Sequence, residues 1–351
     1  MKAVVLAAGK GTRLRPLTSN RPKSLLPIGG APLLSHLLNR LKEVGIKEVL
    51  IVTNFKEEMI REFYHQNPIS NLSVNFIKQE REVGTADAFN TARRYVSEEF
   101  LGIYGDLFIS HNVLDRVLKN HNKGENLICS VHVDNPSRYG VLKVENDKVV
   151  EIVEKPAPGE EPSNLANAGI YFLNDKIFEY VDETVPSERE EYEITDTLRA
   201  MVRKGEVIRN IEISRDEWLD VGLPWSLLEA NERALSSESR RIEGLVEENV
   251  SLFGNIIISK GTRIRSGTYV EGPVFIDEES DIGPNCYIRP SSYIGKKTRI
   301  GNSCEIKNSI IMDESHVAHL SYIGDSIIGE RCNLGAGTIT ANLRFDKKEI
   351  K

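Results

Sequence analysis

The sequence has no long apolar run: the longest are of strand length, such as VLIV at 49–52. A membrane-spanning helix needs about 20 consecutive apolar residues, so none is expected here. The apolar start MKAVVLAAG is also too short for a signal peptide and leads directly into charged residues. We therefore predict a cytoplasmic protein with no membrane partner.

Excess positive charge is missing as well. Lys and Arg number 45 against 52 Asp and Glu, and the resulting net charge of −7 argues against a nucleic-acid partner. The four cysteines form no CxxC pair and the seven histidines have no metal-ligand spacing, so no structural zinc site is expected. A local basic patch remains compatible with this composition.

Strand-like and helix-like segments alternate along the first part of the chain. KAVVLAA at 2–8 predicts a buried strand, and the leucines of APLLSHLLNRLKEVG at 31–45 have helical spacing. The pattern continues through 106 and predicts a Rossmann-like α/β domain with a mainly parallel, doubly wound sheet. The segment 127–220 is strand-rich and predicts an α/β addition to the same domain, followed by a helix and linker over 224–243.

A six-residue period replaces this pattern after residue 250. Every sixth residue is a large aliphatic: Leu252, Ile258, Ile264, Val270, Ile276, Ile282, Ile288, Ile294, Ile300, Ile306 and Met312. Four positions later come small or β-branched residues: Ile256, Thr262, Thr268, Val274, Ser280, Cys286, Ser292, Thr298, Cys304 and Ile310. Neither a helix nor an ordinary sheet has period six, whereas a three-sided parallel β-helix does.

The hexad count slips after Met312 and resumes only at Ile323. A β-helix that interrupts its repeat usually extrudes a loop, so we predict one here, and it would carry His319. Cys286, Cys304 and Cys332 fall in the small slot of their hexads, which favours buried packing over a redox role.

A glycine-rich, cationic loop follows the first predicted strand: LAAGKGTRLRPLTSNRPKSLLPIGG at 6–30. It is no dinucleotide fingerprint, because the third glycine of G-x-G-x-x-G would fall on Leu14, and it does not match a Walker loop. Its glycines still let backbone N–H groups converge on phosphate oxygens, while Arg13 and Lys23 supply positive charge. The loop predicts an anion-binding cradle, with a plain basic surface loop as the alternative.

The same loop resembles the signature of the sugar-1-phosphate nucleotidylyltransferases, L-A-A-G-x-G-T-R-L-x-P-L-T-x-x-x-P-K. Further family segments follow in order: QEREVGTADAF (79–89), IYGDLF (103–108), RYGVL (138–142), EKP (154–156), NAGIY (167–171), EITD (193–196) and WLDVGLPW (218–225). The resemblance implies Mg²⁺-dependent transfer of a nucleotidyl group from UTP or dTTP to a sugar 1-phosphate. N-acetylglucosamine 1-phosphate is the favoured acceptor, and pyrophosphate is released.

The resemblance also implies roles for individual residues. Arg13 and Lys23 would be catalytic cations, and Asp106 and Asp220 would hold Mg²⁺. The nucleotide-binding residues would be Leu6, Ala8, Gly9, Gly11, Thr12, Gln79, Gly84, Thr85 and Gly105. The sugar contacts would be Gly140, Glu154, Lys155, Asn167 and Thr195. Each of these residues has a plain alternative as a turn, cap or surface residue.

The hexads, with IRP (288–290), EIK (305–307) and RCNLGAGTITAN (331–342), resemble the acetyltransferase half of bifunctional N-acetylglucosamine-1-phosphate uridylyltransferases. This implies a left-handed β-helix, a homotrimer, and N-acetylation of glucosamine 1-phosphate by acetyl-CoA with His319 as general base. The amino-sugar site would comprise Arg289, Lys307, Tyr322, Asn333 and Asn342. In the family the β-helix continues for several hexads past the position of Lys351, and a tyrosine stands where this chain has Leu343.

We therefore expect a nucleotidylyltransferase domain over 1–225, a helix and linker over 226–245, and an acetyltransferase-like β-helix over 246–351. One alternative is a glucose-1-phosphate thymidylyl- or uridylyltransferase whose β-helix only mediates assembly. A second is a non-catalytic, nucleotide-sensing subunit, which the presence of Arg13, Lys23, Asp106 and Asp220 disfavours.

Overall fold

The structure is a computed structural model that describes residues 1–96, 98–342 and 346. They form two compact units, one of residues 1–26 with 33–220, the other of residues 27–32 with the chain from 221 onward. Leu343 lies outside the described residues. Among those described, no helix is long and apolar enough to cross a bilayer.

The chain up to residue 220 contains strands and helices in the predicted alternation. The strands are β1 (Lys2–Ala7), β2 (Pro27–Ile28), β3 (Ala31–Pro32), β4 (Glu48–Thr53), β5 (Ser73–Lys78), β6 (Phe100–Tyr104), β7 (Leu107–Ile109), β8 (Asn126–His132), β9 (Gly140–Glu145), β10 (Lys148–Glu154), β11 (Leu165–Leu173), β12 (Ile208–Ile213) and β13 (Trp218–Asp220). The helices are α1 (Leu33–Glu43), α2 (Glu57–Gln66), α3 (Thr85–Thr91), α4 (His111–Asn120), α5 (Ile177–Glu183) and α6 (Ile194–Arg203).

The first unit is built on a sheet with the order β5-β4-β1-β6-β11-β8-β12-β10-β9. Strands β5, β4, β1 and β6 run parallel, as the alternating pattern predicts. Strand β11 runs antiparallel to β6 and β8, and β10 runs antiparallel to β9 and β12. The strand-rich segment after residue 126 therefore forms the second half of the same sheet. This half contains both parallel and antiparallel strand pairs, whereas the first half is parallel.

Helix α1 shows how the leucine spacing becomes packing. Leu34, Leu37, Leu38 and Leu41 fall on one helical face and are completely or almost completely buried. They join the core cluster that includes Val49 of the adjacent sheet. Truncating one such leucine to alanine costs about 2–5 kcal/mol, so this face holds α1 firmly on the sheet.

The second unit contains a helix and a long series of short strands. The helix is α7 (Pro224–Ser236). The strands are β14 (Arg241–Ile242), β15 (Leu245–Val246), β16 (Ser251–Phe253), β17 (Ile256–Ile258), β18 (Arg263–Ile264), β19 (Tyr269–Glu271), β20 (Val274–Ile276), β21 (Asp281–Ile282), β22 (Tyr287–Ile288), β23 (Ser292–Ile294), β24 (Arg299–Asn302), β25 (Glu305–Lys307), β26 (Ile310–Ile311), β27 (His316–His319), β28 (Tyr322–Gly324), β29 (Ile327–Ile328) and β30 (Asn333–Leu334).

These strands form three parallel sheets that the chain visits in turn, in the connectivity of a parallel β-helix. Each coil adds one strand to each sheet, so Ile258 pairs with Ile276 and Ile276 with Ile294, eighteen residues apart. The six-residue period therefore predicted the coil correctly, because three sides of six residues make one turn. The inward aliphatic column is fully buried from Ile258 to Ile306.

The predicted loop after Met312 is wrong. Ile294 pairs with Ile311, and Ile300 pairs with Val317, so these coils are shorter by a single residue and remain in register. Consequently Ile311 belongs to the inward core in place of Met312. His319 ends a regular strand, β27, opposite Asn302.

The same one-residue deletion moves the small inward slot. Ser309, which is fully buried, follows Ser292 in that column, whereas the sequence pattern placed Ile310 there. The shortened corner passes through Asn308, whose φ of 42° lies in the left-handed region. Loss of one corner residue preserves the sheet pairing, which a hexad count cannot reveal.

Asn231 of α7 ties the hairpin of β2 and β3 into the second unit. Its side chain is fully buried, its Oδ1 accepts from the Gly29 N–H at 2.9 Å, and its Nδ2 donates to the Ser291 carbonyl at 2.8 Å. Gly30 lies so close to the Phe275 ring that a Cβ would clash with it. Thus α7, the helix predicted in the helix-and-linker segment, packs with the second unit.

Candidate active site

The first candidate site lies where β1 and β6 end. These strands are parallel neighbours, with Leu6 opposite Tyr104, so the loops that follow them leave the same edge of the sheet. The Gly105 N–H donates to the Leu6 carbonyl at 2.8 Å, and a Cβ on Gly105 would lie 2.9 Å from that oxygen. This close approach explains the glycine. Ligands of open α/β sheets bind at the carboxyl ends of such strands.

The cationic loop surrounds a cavity of about 460 Å³ at this edge. Its lining includes Leu6, Ala7, Gly9, Gly11, Thr12, Arg13, Lys23, Ser24, Thr85, Gly105, Asp106 and Glu191. Gly11 adopts a left-handed conformation, with φ of 61°, and starts a short 3₁₀ helix over Thr12–Leu14. The structure therefore brings Arg13 and Lys23 to one concave surface with the glycine turn.

Two carboxylates face these cations. Lys23 Nζ lies 2.6 Å from Asp106 Oδ2. Asp220 ends β13, which pairs antiparallel with β7 so that Asp220 lies opposite Leu107, next to Asp106 in the chain. Burial and then the negative charge of Asp106 raise the pKa of Asp220, while Lys23 and Arg13 oppose this increase.

A pair of repelling carboxylates beside anion-binding cations suits a hard divalent cation. Mg²⁺ is typically held by one or two carboxylates together with substrate phosphates. Asp106 and Asp220 supply the two carboxylates, and the pKa of Asp220 reflects a repulsion that a bound cation would relieve. The residues present thus fit a magnesium ion.

A second cavity of about 450 Å³ shares part of this lining and extends along β1 and α3. It is lined by Leu6, Ala8, Gly9, Lys10, Thr12, Gln79, Glu82, Gly84, Thr85, Ala88, Tyr104, Asp106 and Glu191. Together the two cavities contain all the predicted nucleotide-binding residues. Ala8, Gln79 and Gly84 line only the second of them.

The predicted sugar residues meet one another through side-chain contacts. Thr195 Oγ1 donates to Glu154 Oε2 at 2.8 Å, and a Cβ on Gly140 would lie 2.8 Å from the same oxygen. Asn167 Nδ2 donates to the Tyr171 hydroxyl at 2.6 Å. Lys155 lies farther out, with its Nζ 3.6 Å from Glu154 Oε1. Four of the five residues are therefore fixed by neighbours, and Lys155 is half exposed.

Sequence reasoning missed three residues around this polar cluster. Arg189 bridges Glu193 at 2.6 Å and Glu154 at 3.3 Å. Burial, the charge of Glu154 and a hydrogen bond shared with Glu191 raise the pKa of Glu193 to about 7. The Tyr104 hydroxyl accepts from that of Tyr171 at 3.0 Å. Two of the missed residues, Arg189 and Glu193, lie in the run EREEYEITD. Its four glutamates beside one arginine were the sequence signal that could have identified them.

The predicted acetyltransferase residues lie on two sheets of the second unit. On the sheet of β22, β25 and β28, Arg289 and Lys307 occupy neighbouring coils, since Ile288 pairs with Ile306. Each has an acidic partner: Arg289 contacts Glu305 at 2.8 Å and Lys307 contacts Asp325 at 3.1 Å.

Asp325 also accepts from Asn342 Nδ2 at 2.6 Å, and Tyr322 begins β28 of the same sheet. The other residues are on the preceding side. Asn333 pairs with His316, and His319 is exposed at the end of β27, three residues before Tyr322 begins the next side after the corner. The structure thus groups Arg289, Lys307, Tyr322 and Asn342 and places Asn333 apart from them.

A Rossmann-like unit with this cation-rich edge is the architecture of the nucleotidyltransferases. Comparison with known families agrees: the nucleotidyl transferase model matches residues 2–237, and the model of the GMPPB C-terminal domain matches residues 270–345. A solved structure, UDP-glucose pyrophosphorylase complexed with UDP-glucose, covers 68% of this chain and 99% of its own, with a TM-score of 0.60 and 26% identity.

Several curated relatives match over the whole chain. The bifunctional protein GlmU of Methanococcus maripaludis strain C7 is 44% identical over 351 residues, which cover 82% of that protein. The bifunctional sugar-1-phosphate nucleotidylyltransferase/acetyltransferase of Sulfurisphaera tokodaii is 42% identical over 355 residues, covering 85% of its length. The chain therefore belongs to the nucleotidyl transferase family and, within it, to the bifunctional GlmU proteins.

Proposed function

We propose that the first unit transfers a nucleotidyl group from UTP, or dTTP, to N-acetylglucosamine 1-phosphate or a related sugar 1-phosphate. The observation that carries this proposal is the meeting of Arg13, Lys23 and Asp106 in one cavity at the carboxyl edge of the sheet. The bifunctional relatives support it. A sensor without catalysis would not need two carboxylates beside two cations.

The reaction joins two anions, so the protein must neutralise charge and align the reactants. A phosphate oxygen of the sugar 1-phosphate attacks the α-phosphorus of the nucleotide, and the bond to the leaving pyrophosphate breaks. Lys23 holds the α-phosphate and the sugar phosphate together. Arg13 stabilises the negative charge that builds on the pyrophosphate.

Asp106 and Asp220 are the residues that would hold magnesium in this scheme. When bound, Mg²⁺ neutralises phosphate charge. Glu154, Asn167 and Thr195 orient the sugar through hydrogen bonds, and Gly140 leaves the space that a side chain would fill. Gln79, Gly84 and Thr85 contact the base.

For the second unit we propose acetyl transfer from acetyl-CoA to the amine of glucosamine 1-phosphate. The amine lone pair attacks the thioester carbonyl, the carbon–sulfur bond breaks, and coenzyme A leaves as the thiol. His319 takes the proton that the amine loses, as a general base, and passes it to the departing sulfur. Its exposure at the end of β27 leaves its imidazole open to a substrate.

Arg289 and Lys307 bind the sugar phosphate, Tyr322 and Asn342 line the amino-sugar site from the same side of the β-helix, and Asn333 lines it from the preceding side, which also carries His319. We also propose that the β-helix is left-handed, that it assembles three copies of the chain, and that the enzyme works in the cytoplasm. The family resemblance supports these three proposals.

The first activity is tested by pyrophosphate release. The protein is incubated with Mg²⁺ and UTP, dTTP, GTP or ATP, each against the 1-phosphates of glucose, glucosamine and N-acetylglucosamine. We expect release with UTP or dTTP and N-acetylglucosamine 1-phosphate. Arg13→Ala should lower kcat/KM about 100-fold, the usual loss of one preorganised donor, whereas Arg93→Ala, an exposed arginine paired with Asp182, serves as the matched control. Wild-type rates in Arg13→Ala would contradict the proposal.

The second activity is tested by following free thiol from acetyl-CoA with glucosamine 1-phosphate. His319→Ala should abolish thiol release. His316→Ala is the control, because His316 is an exposed histidine of the same strand with no assigned role. If the protein prefers glucose 1-phosphate over N-acetylglucosamine 1-phosphate and releases no thiol, it would instead be a glucose-1-phosphate thymidylyl- or uridylyltransferase whose β-helix serves assembly.

A further inference from the structure

Gln79 is fixed in place before any ligand arrives. It directly follows β5, its N–H donates to the Thr53 carbonyl at 2.8 Å, and its carbonyl accepts from Asn54 Nδ2 at 2.6 Å. The residue is only 2% exposed and lines the second cavity. The position of its amide relative to the cavity is therefore determined by the protein.

Both hydrogens of the Gln79 amide nitrogen are used inside the protein. Nε2 donates to Asp87 Oδ2 at 2.8 Å and to the Gly84 carbonyl at 3.2 Å. Asp87 lies in the first turn of α3, three residues after Gly84. No described residue donates a hydrogen bond to Gln79 Oε1, so this oxygen remains for a ligand in the cavity.

The opposite orientation of this amide is unfavourable. The two ends of a glutamine amide have nearly the same shape, so their hydrogen-bond partners decide which way it points. A flip would set Oε1 against the Asp87 carboxylate and the Gly84 carbonyl, and both are acceptors. Asp87 contributes most to this choice because hydrogen bonds to a carboxylate are stronger than those to a carbonyl, and because repulsion between two acceptors adds to the lost bond.

A fixed acceptor reads only one kind of base edge. Uracil and thymine carry an N–H donor at ring position N3, whereas N3 of cytosine is an acceptor. An oxygen that faces N3 accepts a hydrogen bond from uracil or thymine, but it meets the N3 lone pair of cytosine. We propose that Asp87 is a positioning residue that makes the nucleotide site selective for uracil or thymine over cytosine, by holding Gln79 with its Oε1 toward the base.

This inference rests on the proposed function, since it concerns the base of the nucleotide bound by the first unit. Its test compares UTP with CTP in wild-type protein and in Asp87→Asn. The asparagine amide can donate to Gln79 Oε1, which permits the flip and turns Nε2 toward the base. We expect the ratio of kcat/KM for UTP over CTP to fall at least about tenfold, the effect of about 1.4 kcal/mol of mispairing.

Two further variants separate positioning from general damage. Asp87→Glu keeps an acceptor and should largely restore the wild-type ratio. Asp115→Asn makes the same charge change on an exposed aspartate of α4, paired with Lys119 at 2.6 Å, and should leave the ratio unchanged. Because both nucleotides are measured on one preparation, the ratio does not depend on the fraction of active protein.

An Asp87→Asn ratio within twofold of wild type, or equal losses with both nucleotides, would overturn the inference. The dissociation constants of UTP and CTP, measured with Mg²⁺ by calorimetry, supply the same ratio without turnover. If wild-type protein binds UTP but releases no pyrophosphate with any sugar phosphate, the proposed function fails while the binding ratio still decides the role of Asp87.

Discussion

Gly84, at the start of α3, offers the sharpest test of how the nucleotide cavity is built. Its φ of 118° and ψ of 174° lie in a region that glycine alone adopts readily. A Cβ there would lie 2.6 Å from the Tyr192 backbone nitrogen and closer still to its carbonyl oxygen. Because the obstacle is backbone, no side-chain rotation can relieve the clash.

The substitution Gly84→Ala should therefore be costly in two ways. The backbone conformation costs about 1–3 kcal/mol, and overpacking adds about 1–3 kcal/mol. The clash falls where Tyr192 N donates to Val83 O at 2.6 Å and Ala86 N donates to Tyr192 O at 2.8 Å, so these bonds must lengthen. We expect a loss of about 3–5 kcal/mol from the free energy of unfolding of the first unit.

Gly159→Ala is the matched control. Gly159 also has a positive φ, 91°, but a Cβ there would meet no atom within 4 Å. Only the backbone cost remains, about 1 kcal/mol. Both variants replace a glycine of positive φ by alanine, so the difference between them reports the steric contribution at Gly84 together with any additional backbone cost there.

Urea unfolding measures both variants in a Trp225→Phe background, where the buried Trp218 of β13 is the one remaining tryptophan. With a slope of about 2–3 kcal/mol/M, Gly84→Ala should lower the midpoint by about 1–2 M. Its KM for the nucleotide should also rise, because Gly84 lines the cavity. Equal midpoints for Gly84→Ala and Gly159→Ala, with an unchanged KM, would refute the reasoning.

Two other predictions concern buried polar groups. Because the pKa of Glu193 is raised to about 7 from 4.5, its protonated form favours the fold: this stability is present below about pH 4.5 and is lost as the pH rises through 7. Relative to wild type, the free energy of unfolding of Glu193→Gln should therefore increase by up to about 3 kcal/mol as the pH rises from 4.5 to 8, as measured in urea titrations. A difference that does not change with pH would contradict this. Asn231→Ala leaves the Gly29 N–H and the Ser291 carbonyl without their buried partner, at a cost of about 2–4 kcal/mol. The thermal midpoint by circular dichroism should fall by about 5 °C or more, unlike that of the exposed Asn122→Ala, and equal midpoints would show that water replaces the side chain.

The parts of the fold that the sequence predicts well are those with a local period. The leucines of α1 repeat at helical spacing, and the aliphatics of the coils repeat every six residues, so neither requires knowledge of a distant contact. Where the period breaks, the prediction breaks too. The coil that is one residue short was misread as an extruded loop, because a count along the chain cannot tell a deletion at a corner from an insertion.

The candidate site is only partly local. The cationic loop and its glycines were found as one segment, and the structure gathers them at one edge of the sheet. The membership of the β2–β3 hairpin in the second unit depends on Asn231, about 200 residues later in the chain, and no local pattern contains that pairing. Arg189 forms ion pairs with Glu154 and Glu193. The pair with Glu154 also joins residues that lie far apart in the chain.

Charges at the site explain why such long-range contacts matter for chemistry. Arg13, Lys23 and Asp106 come from loops after β1 and β6, but Asp220 reaches them only because β13 pairs with β7 in a defined register. A shift of that register by one residue would turn Asp220 to the opposite face of the strand. The pKa of Asp220 responds to Asp106, Lys23 and Arg13 together, so the four groups form one electrostatic unit. A sequence can supply the four residues, but it is the pairing of two three-residue strands that brings the last carboxylate to the other three.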